Sequence, residues 1–196
     1  MSKVSLFIGD SVTDCGRLAE PPFGDGYVFN IAQSGRLSGE IINVGTGGHR
    51  LIDLENRWNT DVLAHKPTLV SVAIGINDTW RRYDDFDLTT AEDFEDRYRR
   101  LLIATKAQGN PDLVLCEPFL LAVREEMNHW REDLNPKIAV VHKMAAEFGA
   151  KLVPFDQRFN DLAQEMSTSE LAEDGIHPSR LGHQIMADLW LRTVGL

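Results

Sequence analysis

Apolar and polar positions along this chain follow two alternating rhythms. In the first, short runs are apolar or β-prone at nearly every position: Lys3 to Ile8, Ile41-Ile42-Asn43-Val44, Thr68 to Ile74, Asp112 to Cys116 and Lys151 to Pro154. Such continuous runs predict strands buried on both faces, with Thr68 to Ile74 the most central. In the second, apolar residues recur every three or four positions, predicting helices over 27–37, 51–64, 91–107, 136–148, 160–166 and 178–193. The second helix carries Leu51, Leu54, Trp58, Val62 and Leu63 on one side; the last carries Leu181, Ile185, Leu189 and Val194 as its expected buried stripe. Punctuation agrees with these bounds. Lys66-Pro67 and Gly109-Asn110-Pro111 stop helices, while Pro136 and Pro178 are placed to open them and Gly149 to end one.

Three stretches lack either rhythm. Arg17 to Gly26, rich in proline, glycine and charge, reads as a loop; Thr79 to Thr90 is polar and aromatic; Glu117 to Asn135 reads as an excursion at the edge where the first strand ends. Strands alternating with helices mean βαβ units, a parallel sheet and right-handed crossovers. The expected architecture is α/β in three layers. With no internal repeat, low-complexity segment or linker, residues 1–196 are read as one domain, a length that suits one.

Composition narrows the partners. The chain has 20 basic against 30 acidic residues, a net charge of −10, which argues against nucleic acid or an anionic membrane surface as principal partner. No apolar run approaches the ~18 residues of a membrane span, and the opening residues lack a signal-peptide pattern. Cys15 and Cys116 form no motif and imply no disulfide framework, so the expected location is the reducing cytoplasm.

Chemistry concentrates at the ends of the predicted strands. Gly9-Asp10-Ser11, Gly45-Thr46-Gly47-Gly48 and Gly75-Ile76-Asn77-Asp78 each terminate one, and Asp174-Gly175-Ile176-His177 precedes the last helix. In a parallel sheet these carboxyl ends share one edge, where open α/β folds keep their ligands. Singly the clusters are ambiguous: Gly-Asp-Ser is an ordinary strand end, and Asp-Gly an ordinary turn with His177 as a cap. Together they supply every part that acyl transfer needs. Ser11 can attack, His177 can take its proton, and Asp174 can orient the imidazole from three residues away. The Ser11 and Gly48 amides and the Asn77 carboxamide can donate to an oxyanion. His65, His129, His142 and His183 lack ligand spacing and read as surface or capping residues, while His49 can line the cleft. There is no HExxH, CxxC, GxGxxG, P-loop or GxSxG pattern, so no metal or organic cofactor is expected.

GDSVTD at Gly9 to Asp14, the Gly48 loop, GIND at Gly75 to Asp78 and DGIH at Asp174 to His177 resemble, in order and spacing, the four blocks of SGNH (GDSL-type) hydrolases. The resemblance implies a flavodoxin-like α/β/α sandwich with a central parallel five-stranded sheet. It also implies a Ser11-His177-Asp174 triad and an oxyanion hole from Ser11, Asn77 and a glycine amide, Gly48 or its neighbour Gly47. Within that family FIGDSVTDCGR, GDGYV, DLENRW and SVAIGINDTWRRYD are similar to bacterial acetylxylan esterases, which remove acetyl groups from xylan or its oligosaccharides, some as oligomers. One departure is Glu173, at a position where such esterases carry an aromatic.

The reading is therefore a serine esterase for small acyl esters, foremost O-acetyl groups of a carbohydrate. Asp10, Trp80 and Tyr83 are substrate-contact candidates, with Trp130 a further stacking face, and a homo-oligomer is expected from the resemblance. A lysophospholipase or thioesterase on the same fold is the rival, although the chain has no apolar lid. A non-catalytic carbohydrate-binding protein is a more distant one, opposed by the intact Ser11, Asn77, Asp174 and His177.

Overall fold

The computed structural model describes residues 3–20 and 22–196; Pro21, within the predicted 17–26 loop, lies outside the described residues. Five strands, β1 Val4–Gly9, β2 Glu40–Asn43, β3 Leu69–Ala73, β4 Asp112–Cys116 and β5 Lys151–Val153, form one sheet in the order β2-β1-β3-β4-β5. Every pairing is parallel, with Gly9 opposite Ala73 and Ala73 opposite Cys116. This is the flavodoxin-like order, and its direction reverses at β1, the position where such sheets open a crevice.

Alternation along the strands divides the core into two layers. Leu6, Ile8, Val70, Val72, Leu113 and Leu115 face one side and pack with Leu54 and Trp58 of α3 (Leu51–Asp61), Tyr98 and Leu102 of α5 (Ala91–Ala107) and Val141 and Met144 of α6 (Arg131–Phe148). Phe7, Val114, Cys116 and Val153 face the other. They meet Tyr27 and Ile31 of α2 (Tyr27–Gln33), Phe155 and Phe159 of α7 (Phe155–Leu162), and Met186 and Trp190 of α9 (Arg180–Val194). The polar Ser71 in central β3 is matched to this second layer, where its hydroxyl accepts the Trp190 indole N–H at 3.0 Å.

Several predicted bounds shift for local reasons. Residues Ile76–Asp84, which run into the predicted polar stretch 79–90, form a helix, α4, whose Ile76, Trp80 and Tyr83 share one face against Trp130 and Leu134. α6 begins at Arg131 rather than Pro136, following a 3₁₀ segment at Glu125–Trp130, so the proline is carried inside the helix. α7 begins at Phe155 rather than Asn160, because Phe155 and Phe159, one turn apart, anchor it in the core. A further turn, α8 (Thr168–Leu171), is closed by a Ser167–Glu170 capping box. α9 opens after Ser179, whose hydroxyl accepts the Gly182 N–H at 3.0 Å, and not at Pro178. Its expected stripe is also rotated. Leu181 is exposed, while Met186, Ala187, Trp190, Leu191 and His183 are buried.

Candidate active site

The nucleophile candidate is delivered by a backbone with no spare room. A Cβ on Gly9 would lie 2.2 Å from the Ala73 carbonyl oxygen and 2.4 Å from Thr13 Oγ1, so only glycine lets β1 turn here. Asp10 then caps α1 (Ser11–Asp14), where sequence reading expected a polar turn: its Oδ1 accepts the Val12 N–H at 3.0 Å. Asp10 is 3% exposed, so its carboxyl points into the protein, and burial pushes it up to about 7.

Ser11 Oγ lies 2.9 Å from His177 Nε2, and His177 Nδ1 lies 2.6 Å from Asp174 Oδ2. The other Asp174 oxygen accepts the Ile176 and His177 amides at 2.9 and 2.7 Å. Burial alone would raise the Asp174 carboxyl, but the His177 side chain and these amides outweigh it and hold the group below its usual range. An ionised Asp174 assigns the His177 proton to Nδ1 and leaves Nε2 as acceptor for the Ser11 hydroxyl. Gly175 makes the turn possible: it sits at φ +85°, and a Cβ there would come within 2.1 Å of the Leu121 carbonyl oxygen. The Leu121 N–H donates to the Gly175 carbonyl at 2.9 Å, pinning the turn to the chain after β4.

The glycine loop closes the other side. Gly45 crosses α1 so tightly that its Cβ would be 2.3 Å from the Asp14 nitrogen. The Gly47 amide donates to Asp14 Oδ2 at 3.2 Å, whereas Gly48, at φ +78°, faces open space. Asn77, 3% exposed on the first turn of α4, donates from Nδ2 to the His49 carbonyl at 3.1 Å. Next to it Asp78, fully buried, accepts the Leu51 N–H at 3.1 Å, and burial raises its carboxyl to about 6. His49 is half-buried beside this loop; burial and nearby Arg57 hold its imidazole below the ordinary value.

Several residues that no sequence motif marks frame the loop. Asn43 donates to the Thr13 and Phe23 carbonyls at 2.8 and 2.9 Å and accepts the Gly45 amide at 2.9 Å. Arg57 donates to the Val44 and Gly9 carbonyls at 2.6 and 3.3 Å, and Arg17 to the Gly45 carbonyl at 3.0 Å. The one visible signal was an asparagine inside the apolar run Ile41 to Val44. His183, expected at the surface or as a cap, is 6% exposed: its Nδ1 accepts the N–H of Tyr27 at the start of α2 at 3.1 Å and its Nε2 faces Cys15 Sγ at 3.2 Å. Burial pushes its imidazole down to about 4.

Of the substrate-contact candidates, Trp80 lies beside the base, 6.4 Å from His177 between ring centroids. Tyr83 is one ring further out, stacked on Trp130 at 5.4 Å, with its hydroxyl donating to the His129 carbonyl at 2.8 Å. Glu173 is exposed. Between the ends of β1, β3 and β4 lies a cavity of about 20 Å³, lined among others by Asp10, Val12, Ile76, Pro118 and Ile176. Among the described residues no helix is long and apolar enough to cross a membrane.

Comparison with known proteins gives consistent results. The model of the GDSL-like lipase/acylhydrolase family matches residues 7–185. An acetylxylan esterase from Geobacillus stearothermophilus is 34% identical, over 97% of this chain and 93% of that protein. A crystal structure of an acetylxylan esterase from the same organism superposes with a TM-score of 0.88 at 34% identity, covering 100% of this chain and 94% of the other. The structure of a GDSL-like lipase from Parabacteroides merdae gives 0.92 at 33% identity, covering 99% and 96%.

Proposed function

The chain belongs to the GDSL-like lipase/acylhydrolase family and is a carboxylic ester hydrolase, and from that premise we propose that it removes small acyl groups, above all O-acetyl groups of carbohydrates, through Ser11, His177 and Asp174. The observation that carries the proposal is the continuous contact from Ser11 Oγ to His177 Nε2 at 2.9 Å and from His177 Nδ1 to Asp174 Oδ2 at 2.6 Å.

The chemistry follows from these atoms. Ser11 Oγ attacks the ester carbonyl carbon as its proton passes to His177 Nε2, and Asp174 stabilises the imidazolium. The carbonyl electron pair moves onto oxygen, which accepts from the Ser11 and Gly48 amides and from the second Nδ2 hydrogen of Asn77. Gly48 rather than Gly47 suits this role, because the Gly47 amide is already engaged by Asp14. When the tetrahedral species collapses, the sugar oxygen leaves with the proton from Nε2. Water, deprotonated by the same nitrogen, then attacks the acyl-Ser11 carbonyl and releases acetate and Ser11.

Size and surroundings support a short acyl group on a polar leaving group. The small cavity of about 20 Å³ at the strand ends, lined by Asp10, Val12, Ile76 and Ile176, which neighbour Ser11, Asn77 and His177 in the chain, suits an acyl methyl group. The α4 rim carries Arg81 and Asp84 beside Trp80, and the similar Geobacillus protein is an acetylxylan esterase. A panel of aryl esters tests this reading. kcat/KM is expected to fall steeply from acetate to butyrate and to be negligible at octanoate, because overfilling the acyl space displaces the carbonyl, and small misplacements cost ~10²-fold. Acetylated xylo-oligosaccharides should release acetate. A preference for octanoyl esters would transfer the case to the lysophospholipase or thioesterase reading. Good aryl acetate hydrolysis with no release from acetylated sugars would keep the esterase and remove the carbohydrate.

A further inference from the structure

We propose that Asp78 is a positioning residue for the oxyanion donors: with Asn77 it clamps the glycine loop on both sides of Arg50 and thereby fixes the Gly48 amide against the Asn77 carboxamide. The inference rests on the assignment of those two donors made above.

The two grips come from adjacent residues on the first turn of α4 and hold the loop at two points. Asn77 Nδ2 donates to the carbonyl of His49, and the Asp78 oxygens accept the amide of Leu51 at 3.1 and 3.3 Å. Leu51 is the first residue of α3, and its amide is one of the orphan donors at a helix start. Asp53 Oδ2 accepts the Arg50 amide at 2.8 Å and the Asp53 amide donates to the Arg50 carbonyl at 3.0 Å, but the Leu51 amide is satisfied from another element altogether. Asp78 therefore does for α3 what a capping side chain does, and it brings the helix start to α4.

The clamp has a rigid anchor. Asp78 has no exposed surface. At its own end of α4, Gly75 sits at φ +131°, with Pro118 Cγ and Phe94 Cζ 3.1 and 3.2 Å from where a Cβ would be. Behind α4, Lys137 is fully buried on α6 and paired with Asp133, to which Arg82 of α4 donates at 3.0 Å. The positive end of α3 and the field of Lys137 both favour the ionised carboxylate. An ionised side chain, buried and bonded to the loop, is a costly device for closing one helix. It lies one residue from one proposed oxyanion donor, and the Leu51 amide it holds lies three residues from Gly48, so it is suited to set their separation.

The test compares Asp78→Ala, Asp78→Asn, Asn77→Ala and the double alanine variant on a short aryl acetate, well below the melting temperature of each. Asp78→Ala should lower kcat about 10- to 100-fold with KM unchanged, the scale expected when reacting groups are slightly misplaced. Asp78→Asn keeps an acceptor for the Leu51 amide and should recover most of the loss. Because Asp78 acts through the donors, the double variant should fall little below Asn77→Ala alone. Independent, multiplying losses, or wild-type kcat in a folded Asp78→Ala protein, would overturn the proposal. If the alanine variant does not fold, Asp78→Leu, with the same branching and number of side-chain heavy atoms and no acceptor, takes its place. Turnover that survives Ser11→Ala would instead remove the site assignment itself, so the two failures are distinguishable.

Discussion

At the scale of single residues, the site depends on side chains held in unequal environments. Asn77 is buried and spends one Nδ2 hydrogen on the His49 carbonyl, leaving the other for its proposed part as an oxyanion donor. A preorganised donor of this kind is worth about 2.7–4 kcal/mol in the transition state, so Asn77→Ala should cut kcat by roughly 10²–10³-fold at little cost in KM. A raised KM with kcat preserved would make Asn77 a binding residue instead. Asp10 directly precedes Ser11 in the chain, and burial holds its carboxyl at about 7 against an ordinary value of 3.8. The folded state therefore favours protonated Asp10. That stabilisation is fully present below the unfolded value and is lost as pH rises through about 7. Asp10→Asn should match the wild type in stability near pH 4 and exceed it by about 2–4 kcal/mol near pH 8. Denaturant titrations at the two pH values that give parallel stabilities would contradict the buried-carboxyl account.

At the scale of elements, close backbone crossings locate the groups. The turn holding Asp174 and His177 needs Gly175 twice: for φ +85° and for the 2.1 Å that a Cβ would leave to the Leu121 carbonyl. The left-handed geometry alone costs an alanine about 1–2 kcal/mol. Gly175→Ala should lower the melting temperature and reduce kcat together, because the displaced turn carries both His177 and its carboxylate. An unchanged melting temperature would show that the turn yields freely. Elements of this kind differed in how readily the sequence disclosed them. β1, β3 and the stripe of α3 were legible because burial on both strand faces, or on one helix face, leaves an unbroken pattern. α4 was hidden because Ile76, Trp80 and Tyr83 are interleaved with Arg81 and Asp84, whose ion pair faces outward, and with Arg82, which turns to Asp133 of α6. The buried side of α9 was misread because Leu181 lies exposed while the polar His183 finds the Tyr27 amide inside. No local pattern reports a partner 156 positions away.

At the scale of the whole molecule, parallel pairing places the carboxyl ends of β1 and β3 side by side, at the point where the strand order reverses. Ser11 follows the first of these strands and Asn77 the second, and the glycine loop follows β2 alongside. His177 arrives separately, on the turn before α9, 166 positions from Ser11. The four sequence blocks were legible as chemistry because each ends or precedes a regular element. The contacts that hold the glycine loop, from Asn43, Arg57, Arg17 and Asp78, arise only when the layers close. The central claim is that Ser11 is the nucleophile of this assembly, and mass spectrometry of the protein after treatment with a serine-directed phosphonate tests it most directly. One phosphonyl adduct per chain is predicted, on Ser11, with activity lost in proportion; Ser11→Ala should remain unlabelled and turn over ~10⁴-fold more slowly. Labelling elsewhere, or near-normal turnover in the alanine variant, would contradict it.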